Sequence, residues 1–255
     1  MMKKLRHLFL ALGILASCAS ALGDDDFDDD DNEVQRWALL GDRQAQNTLA
    51  LAYLNGDFGY PDLGQAQLWF ARAAEQGHPG AATNLGLLYL SGELEASDDA
   101  YALNLLTAAA QHDFSPAQLV LGTLYEAGRH VPQDYAQARS WYQAAAAHGN
   151  SAAQYHLGML YCDGHGVPKD DVQAVQWWAL AAEQNSAAAQ FQLGRHYLYG
   201  SGVRKDVFQA YGLLIQASMN VGRKSIDSRD LVSADLTVEQ LTDIQELSRN
   251  WPAKS

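Results

Sequence analysis

The side chains best equipped for chemistry in this chain are eight histidines, two cysteines and a run of aspartates. His112 and His148 lie 36 residues apart, each near an expected helix end. Two imidazoles without further ligands do not make a zinc centre, so they read as surface histidines. His156 and His196 fall inside expected helices and are better placed to meet a partner. Cys162 has no second cysteine to pair with and reads as a small, semi-apolar helix residue. Asp24 to Asp31 holds seven aspartates in eight residues. Carboxylates are hard ligands that suit Ca²⁺, but the tract lacks the glycine turn and spaced donors of a calcium loop. Catalytic signatures are absent from the sequence: no G-x-S-x-G elbow, no S-x-x-K, no H-E-x-x-H and no phosphate-binding loop. Gly200-Ser201-Gly202 belongs to a repeated turn. The expected catalytic, cofactor and metal residues are therefore none.

The composition that must position any site is globular and helix-favouring. Of 255 residues, 48% are hydrophobic and 18% charged. Alanine is abundant and β-branched residues are scarce, which favours helix because little side-chain freedom is lost. The net charge of −13 repels phosphate backbones and argues against nucleic acid as a partner.

The N-terminus reads as an export signal over residues 1–17. Lys3, Lys4 and Arg6 precede an apolar run from Leu8 to Leu15, far short of the ~20 residues a membrane-spanning helix needs. Leu15-Ala16-Ser17-Cys18 resembles the bacterial lipobox. That resemblance implies lipidation of Cys18, which would become the first residue of the mature protein. It also implies an exported, periplasmic protein, anchored at the outer membrane because Ala19 rather than Asp follows the cysteine. Ordinary cleavage at Ala19-Ser20-Ala21 remains the alternative. The membrane is then met only through an N-terminal lipid anchor. Residues 18–32, rich in Asp, read as a disordered tether, since like charges repel and bury no apolar area.

The body of the chain repeats. Leu49, Leu85, Leu121, Leu157 and Leu193 are each 36 residues apart. The tyrosines from Tyr53 to Tyr197, the glycines from Gly56 to Gly200 and the aspartates from Asp62 to Asp206 keep the same step. In the fourth unit, Ala153, Leu157, Leu160 and Tyr161 mark one helical face. A turn follows, and Asp170 stands where an N-cap belongs before a second helix carrying Ala174, Trp177, Trp178 and Ala181. Gly86, Gly122, Gly158 and Gly194 sit mid-helix, where glycine costs roughly 1 kcal/mol. Their register implies close approach of the paired helix. The aromatic pair of each second helix is expected to cover the neighbouring unit.

The pattern Ala-x3-Leu-Gly-x2-Tyr-x2-Gly-x-Gly-Val-x2-Asp resembles the Sel-one-like repeat, a relative of the tetratricopeptide repeat. Leu157-Gly158-Met159-Leu160-Tyr161 and Gly164-His165-Gly166-Val167 carry it most fully. Glu93-Leu94-Glu95 departs from the turn, and Leu105-Leu106 and Leu213-Leu214 depart from the aromatic pair. The resemblance implies an all-α fold, a right-handed α/α solenoid of five 36-residue helix-turn-helix repeats with a concave inner face that binds proteins. Residues 33–41 read as an N-terminal half-repeat cap, 42–219 as the five repeats and 220–255 as C-terminal capping helices. Within the last segment, Asn220 to Asp235 is expected to hold a short helix. Thr237 and Gln240 suggest a capping box before Leu241, Ile244, Leu247 and Trp251.

In each first helix Ala45, Leu49, Ala52 and Tyr53, with their equivalents, are assigned to the core. The remaining rows vary between units: Asn47, Thr83, Leu119, Tyr155, Phe191; Leu51, Leu87, Thr123, Met159, Arg195; and Thr48, Asn84, Val120, His156, Gln192. Large amphipathic side chains commonly anchor interfaces. The expected partner-binding residues on the concave face are thus Tyr155, His156, Met159, Phe191 and Arg195. Packing of Tyr155 and Phe191 against a flanking helix is the competing reading. The sequence favours a non-catalytic scaffold or adaptor for protein partners in the bacterial envelope. An envelope-acting hydrolase (β-lactam or peptidoglycan related) and a glycan-binding module are the alternatives.

Overall fold

The computed structural model describes residues 27–94 and 98–224, and every regular element among them is a helix. In chain order these are α1 (Phe27–Leu39), α2 (Arg43–Asn55), α3 (Leu63–Glu75), α4 (Pro79–Leu90), α5 (Asp99–Gln111), α6 (Ser115–Ala127), α7 (Tyr135–Ala147), α8 (Ser151–Asp163), α9 (Asp171–Glu183), α10 (Ala187–Tyr199) and α11 (Val207–Lys224). From α2 onward they form five helix pairs, an all-α solenoid architecture. The chain divides into two compact units, one ending at Leu121 and the other beginning at Gly122.

The repeated residues place the helix ends. Each periodic Asp is the N-cap of a second helix: Asp62 Oδ1 accepts from Gln65 N at 2.9 Å, Asp98 from Tyr101 N at 2.9 Å and Asp170 from Gln173 N at 3.0 Å. Such a cap satisfies one of the amide donors that a helix start leaves unpaired. The same Asp backbone N–H closes the turn by donating to the carbonyl of a periodic tyrosine. Asp62 reaches Tyr53 O at 2.9 Å, Asp170 reaches Tyr161 O at 2.8 Å and Asp206 reaches Tyr197 O at 2.9 Å. Three of the first helices, α2, α8 and α10, end at glycines in the left-handed region, with Gly56 at φ 82°, Gly164 at φ 74° and Gly200 at φ 76°.

The mid-helix glycines are explained by their own unit. A Cβ on Gly158 would lie 2.5 Å from Trp178 Cδ1, and one on Gly122 would lie 2.5 Å from Tyr142 Cδ1. Where leucine replaces the aromatic residue the approach is looser, 2.9 Å from Gly86 to Leu106 Cγ and 3.0 Å from Gly194 to Leu214 Cγ. Trp178 is fully buried and donates from Nε1 to Tyr155 O at 3.1 Å. Trp178 thus fills the space inside its own helix pair and, as expected of the aromatic residue, also covers the next unit, where its ring meets His196 edge-on at 4.8 Å and packs with Ala189 and Leu193. The small residue opposite it is what admits an indole there.

A second repeated device joins consecutive pairs. Gln46 Nε2 donates to Ala38 O at 3.1 Å, Gln118 Nε2 to Ala110 O at 3.0 Å and Gln190 Nε2 to Ala182 O at 3.2 Å, all buried. The last carbonyls of a helix lack intrahelical donors. Here the next helix supplies one.

Two boundaries differ from the expected ones. Helix α1 begins at Phe27, inside the segment read as tether up to residue 32. Acidic residues suit the first turn of a helix, where the macrodipole is positive, so the end of the Asp tract is compatible with helix. At the other end α11 runs through Lys224, past the expected boundary at 219. The signal segment with Cys18, and the capping box and helix expected from Thr237 onward, lie outside the described residues.

Candidate functional site

The five side chains expected to meet a partner lie on α8 and α10, but not equivalently. Arg195 is exposed, whereas Tyr155, His156 and Met159 are half-buried. Phe191 is buried at 1% exposure. This corrects its assignment as a partner-binding residue. Most of its row is internal, since Asn47, Thr83 and Leu119 are buried as well, and Tyr155 is the one half-buried member. The physical reason is that a first helix packs against two second helices, its own and the preceding one, as α8 does with α9 and α7. Two sides are then covered, and the free strip is narrower than a single-sided amphipathic pattern suggests. Arg195 places its guanidinium 5.8 Å from the Phe191 ring centre, so Phe191 acts beneath it as a packing platform. Tyr155 and Met159 pack in part on the core around Trp178 and Leu193.

His156 is the member of the strip with the richest chemistry. Its Nδ1 lies 3.0 Å from Glu126 Oε2, and its ring stacks on Tyr142 at 4.8 Å and 15°. The Tyr142 hydroxyl donates to the same Glu126 oxygen. Tyr155 meets the imidazole edge-on at 5.5 Å. Burial by itself would raise the Glu126 pKa. Hydrogen bonding and attraction from His156, the Tyr142 hydroxyl and the charge of His165 outweigh it and leave the carboxyl below its usual value. The Tyr142 phenol is pushed up by burial and by the Glu126 charge, so it remains a donor at any ordinary pH.

Cys162 and His196 also meet, at 3.9 Å between Sγ and Nε2. His196 Nδ1 is 3.0 Å from Ser201 O, which fixes the proton on Nδ1 and makes Nε2 the acceptor. Burial, with Asp163 and Asp171 nearby, raises the Cys162 pKa. This setting disfavours the thiolate form of Cys162. Among the described residues no group of three or more His, Cys, Asp and Glu side chains is arranged to hold a metal ion. No described helix is long and apolar enough to cross a membrane.

A model of the Sel1 repeat matches residues 43–78, 79–114, 115–150, 151–186 and 187–220, one match for each helix pair. The chain belongs to the Sel1 repeat family. Sel1 repeats generally serve as non-catalytic scaffolds for protein interaction. Among solved structures, a protective antigen of uropathogenic Escherichia coli with an SLR fold is 27% identical at a TM-score of 0.70. The match takes in 96% of this chain and 56% of the antigen, so this chain spans little more than half of that protein's length. A Sel1 repeat protein from Oxalobacter formigenes is 26% identical at a TM-score of 0.68, over 98% of this chain and 99% of that one. An immunity protein from Pseudomonas aeruginosa shares the fold at 17% identity and a TM-score of 0.55, over 93% and 87% of the two chains. No curated protein gives a match.

Against the Sel1 pattern, the residue that sequence reasoning passed over is Glu126. Its row otherwise holds Leu54, Leu90, Cys162 and Leu198, so one charge in an apolar row was the available signal. Tyr142 stands in a row of Phe70, Leu106, Trp178 and Leu214 and carries that row's one hydroxyl.

Proposed function

We propose that this Sel1 repeat protein is a non-catalytic scaffold that holds a protein partner in the bacterial cell envelope. The observation carrying this reading is the contrast between a strictly kept repeat and the half-open first-helix strip of Tyr155, His156, Met159 and Arg195. The repeated Ala and Leu positions build the buried core of those helix pairs, while the strip varies between units and offers large amphipathic side chains, the type that anchors interfaces. The lipobox-like tetrad supports attachment through an acylated Cys18, with residues after it spacing the repeats from the membrane.

The test is crosslinking of the full chain in a bacterium, with Tyr155, His156, Met159 and Arg195 all changed to alanine as the control. A discrete partner captured by the natural chain and lost with the control is the expected result. A partner retained by the control, or turnover of a β-lactam or peptidoglycan substrate by the purified protein, refutes the reading. Acylation is checked separately by labelling with a radioactive fatty acid, which Cys18→Ala abolishes if the anchor is real.

A further inference from the structure

Three departures from the repeat pattern converge on one point. Glu126 replaces the leucine of its row, His156 stands in a row of Thr48, Asn84, Val120 and Gln192, and Tyr142 adds a hydroxyl to an apolar row. The rows come from three different helices, α6, α8 and α7. Their side chains nevertheless bind one another, with Glu126 Oε2 taking both the Tyr142 hydroxyl and His156 Nδ1. Packing does not require them, because the other pairs close the same space with leucine, phenylalanine or tryptophan. The cluster is also open: the Glu126 and His156 side chains keep 26% and 30% of their surface.

Both described bonds fall on Glu126 Oε2. The second oxygen, Oε1, is left to accept from outside. The His156 tautomer that donates from Nδ1 to Glu126 carries its lone pair on Nε2. In that form the cluster offers two acceptors, Glu126 Oε1 and His156 Nε2, beside the Tyr155 ring. A planar cation rich in N–H groups matches that description, and an ammonium point charge matches it less well. The acidic net charge of −13 favours the approach of a cationic partner.

We infer that Glu126, His156 and Tyr155 form a binding site for an arginine side chain of a protein partner, with Tyr142 as the residue that positions Glu126. The inference rests on the scaffold reading above and names the chemistry its partner must present. Glu126 supplies the counter-charge, His156 Nε2 a second acceptor and the Tyr155 ring a stacking surface.

The test needs no partner protein. Nα-acetylarginine methylamide is titrated into the full chain while the His156 ring resonances are followed by NMR. The expected result is a saturable shift in the millimolar range, absent with the neutral isostere Nα-acetylcitrulline methylamide. Glu126→Gln keeps the shape and removes the charge, and should weaken binding ~10-fold or more, as expected for loss of a charge-assisted bond. The pair Glu126→Leu with Tyr142→Phe reproduces Leu54 and Phe70 of the first pair, and should abolish the shift while the fold persists. No saturable shift, an equal shift with the citrulline derivative, or binding unchanged in Glu126→Gln overturns the inference. Arginine binding without a captured partner would instead count against the scaffold reading, so the two failures are separable.

Discussion

Gly158 should be the most sensitive point of its helix pair. An added Cβ would stand 2.5 Å from Trp178 Cδ1, whereas carbon atoms rest about 3.5–4 Å apart. About 1 Å of separation must therefore be created. Trp178 has no room to retreat, being at 0% exposure and tied through Nε1 to Tyr155 O. Overpacking of this kind costs about 1–3 kcal/mol. Replacing a mid-helix glycine with alanine returns roughly 1 kcal/mol of helix propensity. Gly158→Ala should therefore lower stability by about 0–2 kcal/mol, toward the upper end because Trp178 is held in place, and Gly158→Val by more. Gly86→Ala should cost less, because its nearest neighbour is Leu106 Cγ at 2.9 Å and leucine rotates aside more readily than indole. The first pair already contains the compensated combination, with Ala50 in register with Gly158 and Phe70 in register with Trp178. Gly158→Ala combined with Trp178→Phe should thus be better than the sum of the two changes by at least about 1 kcal/mol. Urea unfolding followed by far-ultraviolet circular dichroism reads the natural chain, the three glycine variants, Trp178→Phe and the double variant. An unchanged midpoint for Gly158→Ala, or strict additivity in the double variant, refutes the close-approach account.

Three further outcomes follow from the titrating groups. His78 caps α4 by accepting from Ala81 N at 3.0 Å, and its Nε2 meets Gln44 at 2.8 Å. Burial, with Arg43 nearby, lowers its pKa, so the neutral ring stabilises the fold above the unfolded pKa of about 6.5 and that contribution fades as pH falls below it. His78→Asn, the residue type found at Asn150, should flatten stability between about pH 7 and 5; an unchanged slope refutes the cap assignment. Glu126 has a depressed pKa in the fold, so its contribution is present above the unfolded value of about 4.3 and is lost in stronger acid. Glu126→Gln should reduce the acid sensitivity of unfolding, and equal acid midpoints for the two proteins would contradict the pairing with His156 and Tyr142. Cys162, whose thiol is pushed up by burial and flanking carboxylates, should react with iodoacetamide at pH 7.5 more slowly than in the urea-unfolded chain; equal rates would show that its thiol is not shielded.

Much of the fold was legible because a repeat states each instruction five times. Asp62, Asp98, Asp134, Asp170 and Asp206 announced the second-helix N-caps, and all five accept backbone amides there. The mid-helix glycines announced a close approach before its partner was known. The buried glutamines recur in four of the five units, with Ala82 in the other, yet a polar residue on a helix gives no sign by sequence alone that its bond goes to the preceding helix. Gln118 is buried only because Ala110 O needs a donor at that place.

The candidate site was legible in part. Its residues on α8 were found because they depart from the repeat, but their depth was misjudged at Phe191. Helical periodicity gives the direction in which a side chain leaves its own helix. It does not say how many other helices stand in that direction. Sequence by itself thus determined the period, the caps, the turns and the family of this protein, since each is a local requirement of backbone geometry or hydrogen bonding. Tertiary structure alone decided that Phe191 is covered while Arg195 lies over it, and that Glu126, Tyr142 and His156 meet. Those three come from separate helices up to 30 positions apart, and only the packing of α6, α7 and α8 brings their polar atoms within hydrogen-bonding distance.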